Sequence, residues 1–267
     1  MLLEVDGVSK TYETGGGQVV QAIGEITFAV GENEFVSVVG PSGCGKTTLL
    51  QCISALMPAT TGEVRLRGQR IVQTPRDLAI VFQDYSRSLF PWLTIGDNVR
   101  LPIRKTGSKE EIARAVDEAL AAVSLTKFKD HYPYQLSGGM QQRAAIARAL
   151  AYSPRILLLD EPFASVDAQT RTELEDLVLR IGREFDITFL LVTHDVDESV
   201  YMSDRVVMLT HQPSVVLGEL QIDLPWPRDQ VETKRLPEFA ELRAQVYQGI
   251  TQAHADRTPD LELAAEK

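Results

Sequence analysis

The sequence predicts an α/β fold: a mostly parallel sheet covered by helices, a small antiparallel β lobe and an inserted α-helical lobe. Three observations carry this. Five apolar runs, Phe35–Val39, Leu78–Phe82, Ile156–Leu159, Thr188–Val192 and Val206–Leu209, lack the alternation of a half-exposed strand and read as strands buried on both faces. Between the second and third lies a long block with helical spacing, residues about 88–152. The first 30 residues instead hold two β-rich pieces, Leu2–Val5 and Ile26–Val30, around a glycine-rich turn at Thr14–Gln18. Gly62–Arg67 and Gln69–Val72, turning at Gly68, add a hairpin to that lobe.

At 267 residues and 44% hydrophobic, the chain can bury a full core, as one large domain over 1–220 with an extension over 221–267. Its formal net charge of -10 makes it a poor general binder of nucleic-acid backbones. Cys44 and Cys52 match no zinc spacing and no disulfide framework, so a reduced, cytosolic compartment is expected. Met1 opens directly into a strand-like segment with no apolar leader, and no apolar run approaches the roughly 18 residues of a membrane span.

Phe35 to Thr48 organises the rest. The run Phe35–Val39 breaks into a glycine-rich turn and then a helix carrying Leu49, Leu50, Ile53 and Met57 at helical spacing. Gly40, Gly45, Lys46 and Thr47 meet the pattern G-x-x-x-x-G-K-[ST] in the strand-to-helix context the pattern requires. Glycines at 40, 43 and 45 let consecutive N–H groups turn toward one anion at a helix start. Gly40, Pro41, Ser42, Gly43, Cys44, Gly45, Lys46, Thr47 and Thr48 therefore form a candidate polyphosphate cradle. Lys46 supplies a point charge to the β and γ phosphates, and the Thr47 hydroxyl a ligand for Mg²⁺. Tyr12, ahead of the first turn, has a ring that can lie against an adenine base, although packing alone also accounts for a single Tyr.

The residues just past the apolar runs point the same way. Gln83 succeeds the second run, Asp160 and Glu161 the third, and Thr193 and His194 the fourth. In open α/β sheets ligands sit beyond the carboxyl ends of the strands, so these polar groups belong to one site. Taken singly, an acid pair at a helix start or a core histidine is ordinary. Within the helical block, Ser108 and Glu111 form a capping box ahead of Ile112, Val116, Leu120 and Val123. Leu136–Ala151 then offers a second anion-binding helix start, with Ser137 as cap and Gly138 and Gly139 leaving N–H groups accessible.

These pieces, in this order and spacing, resemble the ATP-binding cassette (ABC) family over essentially residues 2–220. They are GPSGCGKTT at 40–48, VFQ at 81–83, LSGGMQQR at 136–143, ILLLDEP at 156–162, SVD at 165–167 and THD at 193–195. The resemblance implies a P-loop NTPase core, ATP with Mg²⁺, and a head-to-tail homodimer in which Ser137, Gly138 and Gly139 of one subunit complete the nucleotide site of another. It assigns Asp160 to the magnesium shell and Glu161 to the attacking water. Gln83 would sense metal and water, His194 would contact the γ-phosphate, and Asp167 would join the two sites across the dimer. Met140 stands where many members carry Gln, which implies a tuned site.

A single cassette without spanning helices resembles a separate subunit of a bacterial-type importer, peripheral at the cytoplasmic face of the inner membrane. The partners implied are permease subunits and, indirectly, a solute-binding protein, with no nucleic acid. The loop Ser88–Asn98 is expected to expose Leu89, Phe90 and Trp92 toward the permease, unless these residues fill the helical lobe's own core. Its LFPW wording resembles the nitrate, sulfonate and taurine importer branch. A cassette for another small solute, or a non-transport ATPase acting on nucleic acid or an assembly scaffold, is the alternative. Past Val216, LPWPRDQ reads as extended and leads to a helix from Pro237 with Phe239, Leu242, Val246 and Ile250 on one face. That helix is expected to pack back on the cassette, ahead of a frayed tail from about residue 254.

Overall fold

The computed structural model describes residues 1–13, 17, 19–83 and 88–255. In chain order the strands are β1 (Leu3–Glu13), β2 (Val19–Val30), β3 (Phe35–Val39), β4 (Thr61–Leu66), β5 (Gln69–Arg70), β6 (Leu78–Val81), β7 (Ile156–Asp160), β8 (Thr188–Thr193), β9 (Arg205–Leu209) and β10 (Val216–Gln221). The helices are α1 (Lys46–Ile53), α2 (Ile95–Arg100), α3 (Lys109–Ala122), α4 (Gly138–Leu150), α5 (Ala168–Glu184), α6 (Val196–Met202) and α7 (Pro237–Ala255). They fall into two compact units, Met1–Pro75 with Leu190–Lys267, and Arg76–Phe189.

The first unit holds an antiparallel sheet in the order β2-β1-β4-β5. β1 and β2 run longer than the sequence pattern suggests, because register shifts between Val5 and Val8 and again near Lys10 break the alternation of exposed and buried residues. Most of the predicted turn at Thr14–Gln18, residues 14–16 and 18, lies outside the described residues. In the same unit β3 pairs in parallel with β9, from Val36 opposite Arg205 to Val39 opposite Met208. β10 adds an antiparallel edge on β9 that the sequence pattern does not predict. All five residues of β3 are buried, as its unbroken apolar run requires.

Helix α1 stops at Ile53, so Met57 lies beyond it, contrary to the helical spacing of the sequence. Ala55 takes a left-handed conformation at φ 57, which ends the helix. Helix α7 packs on α6, β9 and β10 as expected. Phe239 and Val246 are buried, while Leu242 and Ile250 are half-buried. Residues 256–267, most of the expected frayed tail, lie outside the described residues.

The second unit pairs β6 and β7 in parallel and surrounds them with helices. The predicted capping box of α3 is formed: the Ser108 N–H donates to Glu111 Oε2 at 2.7 Å and the Glu111 N–H to Ser108 Oγ at 3.2 Å. β8 begins in this unit and ends in the other.

Candidate functional site

In the first unit, β3 delivers the chain into the phosphate loop. Gly45, the cap residue of α1, sits at φ 103 and provides no side-chain acceptor for the helix start. A helix start of this kind, with the helix dipole behind it, suits an anion. Gly43, at φ 76, has nothing within 4 Å of where a Cβ would stand, which leaves the mouth of the loop open. Lys46 is only 5% exposed, and its ammonium donates to the carbonyls of Gly40 at 2.9 Å and Pro41 at 3.0 Å. A buried charge held by loop carbonyls is poised for an anion brought to the same loop. Thr47, Ser42 and Gly43 are exposed at the rim, whereas Pro41 and Cys44 are buried beneath it.

Two further predicted residues lie in this unit. His194 is exposed and directly follows β8. Tyr12 is half-buried, donates its hydroxyl to Met57 Sδ at 3.1 Å, and has the Lys10 ammonium 5.4 Å from its ring centroid.

In the second unit, Asp160 is the last residue of β7 and is buried. Glu161 follows at φ 43, a left-handed conformation that costs a residue with a Cβ of order 1–3 kcal/mol and that clusters at functional positions. The turn brings its carboxylate to Gln83, whose Nε2 donates to Glu161 Oε2 at 3.4 Å. Two groups from different strand ends, predicted to share one water, thus meet at a long contact. Asp160 and Glu161 differ in exposure, which suits a fixed acid beside an accessible one.

The second helix start is also as predicted. Ser137 caps α4 in extended conformation and accepts the Met140 N–H at 3.3 Å, leaving its side chain exposed. Gly139 is required by packing: a Cβ there would stand 2.3 Å from Thr170 Cγ2 on α5. Thr170 in turn donates its hydroxyl to Asp167 Oδ2 at 2.7 Å and its N–H to Oδ1 at 3.0 Å. These bonds, the hydroxyl's first, hold the Asp167 carboxyl below its ordinary range. One threonine therefore supports both Gly139 and Asp167, and the Arg143–Glu173 ion pair at 3.1 Å ties the same two helices.

The profile of the ABC transporter family matches residues 23–164. The chain is 42% identical over 247 residues to the nitrate import ATP-binding protein NrtD of Synechococcus elongatus, covering 91% of this chain and 89% of that protein. The chain belongs to the ABC transporter family. It is also 42% identical over 256 residues to the bicarbonate transport ATP-binding protein CmpC of the same species, covering 94% of this chain but spanning only 38% of that longer protein. Among solved structures, the ATP-binding cassette MJ0796, a dimer in a post-hydrolysis state with ADP and Pi, matches with a TM-score of 0.73 and 34% identity over 83% of this chain and 99% of that one. The fold is therefore the α/β fold of ABC nucleotide-binding cassettes.

In this ABC chain the loop predicted to expose three apolar residues exposes two. Trp92 is 70% and Phe90 37% exposed, their rings 5.3 Å apart, but Leu89 is buried. Leu89 departs from the expectation, in a loop braced by Asn98, whose role no sequence pattern marks. The buried Asn98 amide accepts the Phe90 N–H at 2.8 Å and donates to the carbonyls of Phe90, Leu93 and Thr94. That folds the loop back. Beside it a groove of about 700 Å³ runs along α2 and α3, lined by Leu93, Ile112, Arg100, Arg104, Lys109 and Lys129 among others. Thr170 is equally unmarked in the sequence; only its spacing from SVD, within the first turn of α5, hints at a role.

Proposed function

We propose that this chain is the ATP-hydrolysing subunit of a bacterial-type ABC importer for a small anion such as nitrate, bicarbonate or a sulfonate. The observation that carries hydrolysis is the Gln83–Glu161 contact at a strained strand end, in a chain that also holds an uncapped phosphate loop. The nitrate and bicarbonate transport relatives support the importer role and the solute class.

In this reading the loop N–H groups and Lys46 bind the β and γ phosphates of ATP, and Glu161 orients and polarises the attacking water. Gln83 holds that water's other side, and His194 contacts the γ-phosphate. Magnesium at such sites is commonly held by one or two carboxylates together with the substrate's phosphates. Asp160, Thr47 and Gln83 would hold Mg²⁺, which supplies charge neutralisation at the phosphates. The chain's own contribution is positioning and charge stabilisation of an in-line transfer. Ser137 and Gly139 of a second copy close the site, and Asp167 links the two sites, so a homodimer is the working form. The dimeric cassette among the solved relatives supports this.

Among the described residues no helix is long and apolar enough to cross a membrane. The permease is a separate partner in this reading. Phe90, Trp92 and the groove of mixed charge beside them support docking of that partner at the cytoplasmic membrane face. Purified chain should hydrolyse Mg-ATP, and Glu161→Gln should accumulate an ATP-bound dimer. Wild-type turnover by that variant would remove Glu161 as the base. Phe90→Ala with Trp92→Ala should weaken capture of a polytopic partner from detergent extracts; unchanged capture would move the docking surface elsewhere.

A further inference from the structure

His194 sits in the link between the end of β8 and the next helix. It precedes a seven-residue helix, α6, too short to hold itself together. Locally, Asp195 caps that helix by accepting the Glu198 N–H at 3.1 Å, and the Asp195 N–H donates to Thr193 Oγ1 at 3.0 Å. The helix also packs on β3 and β9, and further supports come from the C-terminal extension. At the far end of α6, Arg228 Nη2 donates to the carbonyl of Ser203 at 3.1 Å, a cation placed where the helix dipole is negative. Its guanidinium lies 4.4 Å from the Trp226 ring centroid, and Trp226 Nε1 donates to Asp204 Oδ1 at 3.2 Å. The other oxygen of Asp204 accepts the Phe35 N–H at 2.9 Å, at the start of the strand that feeds the phosphate loop.

Along the flank, the Lys234 ammonium sits 4.7 Å from the Tyr201 ring centroid. Near the start of α6, Arg243 Nε pairs with Asp197 Oδ1 at 2.6 Å. Phe239 and Val246 of α7 are buried. Three cations from one short extension thus grip both ends and one side of the helix that carries the histidine loop. Arg228 is only 9% exposed, and burying a guanidinium is costly unless its contacts do something with it.

We propose that the C-terminal extension is a positioning element for His194, with Arg228, Lys234 and Arg243 fixing α6 so that the histidine meets the γ-phosphate. This rests on the ATPase reading above. The test is steady-state ATP hydrolysis by full-length chains carrying Arg228→Gln, or Lys234→Ala with Arg243→Ala, each with and without His194→Ala. Acting through the histidine, the extension variants should lower kcat roughly tenfold with KM for ATP unchanged, the scale expected of a slightly misplaced group. In the His194→Ala background they should cost nothing more, since two changes on one path are not additive. Arg228→Lys should recover part of the loss. Equal losses in both backgrounds, or unchanged kcat in the extension variants, would overturn the proposal while leaving the ATPase reading intact. A His194→Ala chain as active as wild type would instead remove the histidine's role and the proposal with it. Should Arg228→Gln fail to fold, the half-buried Lys234 and exposed Arg243 carry the same comparison.

Discussion

Gly139 and Thr170 set the tightest constraint on a single residue. With 2.3 Å between the position of a Cβ and Thr170 Cγ2, Gly139→Ala must displace the Thr170 side chain, and its bond to Asp167, or push α4 from α5. Overpacking of this kind costs about 1–3 kcal/mol. If Ser137 and Gly139 meet phosphate, ATP hydrolysis should fall by about a hundredfold, as displacement of a positioning group does. Adding Thr170→Ser removes the offending methyl and keeps the hydroxyl bond to Asp167, so it should restore both stability and turnover. If the double variant stays inactive, the glycine serves something other than this contact. Gln142 makes a second case. It is fully buried on α4, and neither end of its amide has a hydrogen-bond partner among the described residues. An unmade buried bond costs about 1–3 kcal/mol, so Gln142→Met, similar in volume, should raise the melting temperature. A lower melting temperature would mean that the amide is satisfied in solution, by water for example.

At the scale of elements, carboxylates serve several helix or turn starts, Asp195 at α6 among them, and three of these are shifted in their titration. Backbone N–H and hydroxyl donors hold Glu111, Asp167 and Asp229 below their ordinary values: the Ser108 N–H first for Glu111, the Thr170 hydroxyl first for Asp167, and the Glu232 N–H first for Asp229. A carboxyl depressed in the fold binds protons more readily when unfolded. Its contribution is therefore present above about pH 4.5 and lost as pH falls through the lowered folded value. Melting temperature should thus decline on acidification from about pH 5, and Glu111→Gln should make that decline shallower while Gln still serves the box. An unchanged acid slope in this variant would exclude Glu111 from it.

The same elements show what sequence makes legible. The capping box and the Ser137 cap are readable because donor and acceptor lie three residues apart, so one local pattern specifies the geometry. Leu89 is misread because its apolar neighbours Phe90 and Trp92 are exposed, and the bonds that brace the loop, from the Asn98 amide and from Arg148 to the Ser88 carbonyl, are not written in any local pattern. The Gly139–Thr170 contact is hidden because it joins two helices whose approach no periodicity encodes.

For the whole molecule, the strand–loop–helix of the phosphate loop is legible because Gly40 to Thr48 are contiguous with the strand before them, whereas the close approach of Leu209 to Gly40 and of Ala22 to Gly45 is not. Gln83 and Glu161 are legible as strand-end residues, but their 3.4 Å meeting requires the fold. The grip of the extension on α6 is not legible, since Arg228, Lys234 and Arg243 meet partners set apart along the chain. The central claim is that each ATP is bound by the loop of one copy and closed by Ser137 of another. Mixing two inactive chains, Lys46→Ala and Ser137→Ala, tests it directly by ATP hydrolysis. In a head-to-tail dimer of the two, one site carries both defects and the other carries neither. An equal mixture should therefore regain up to about a quarter of the wild-type sites. A mixture as inactive as its components would contradict the shared site.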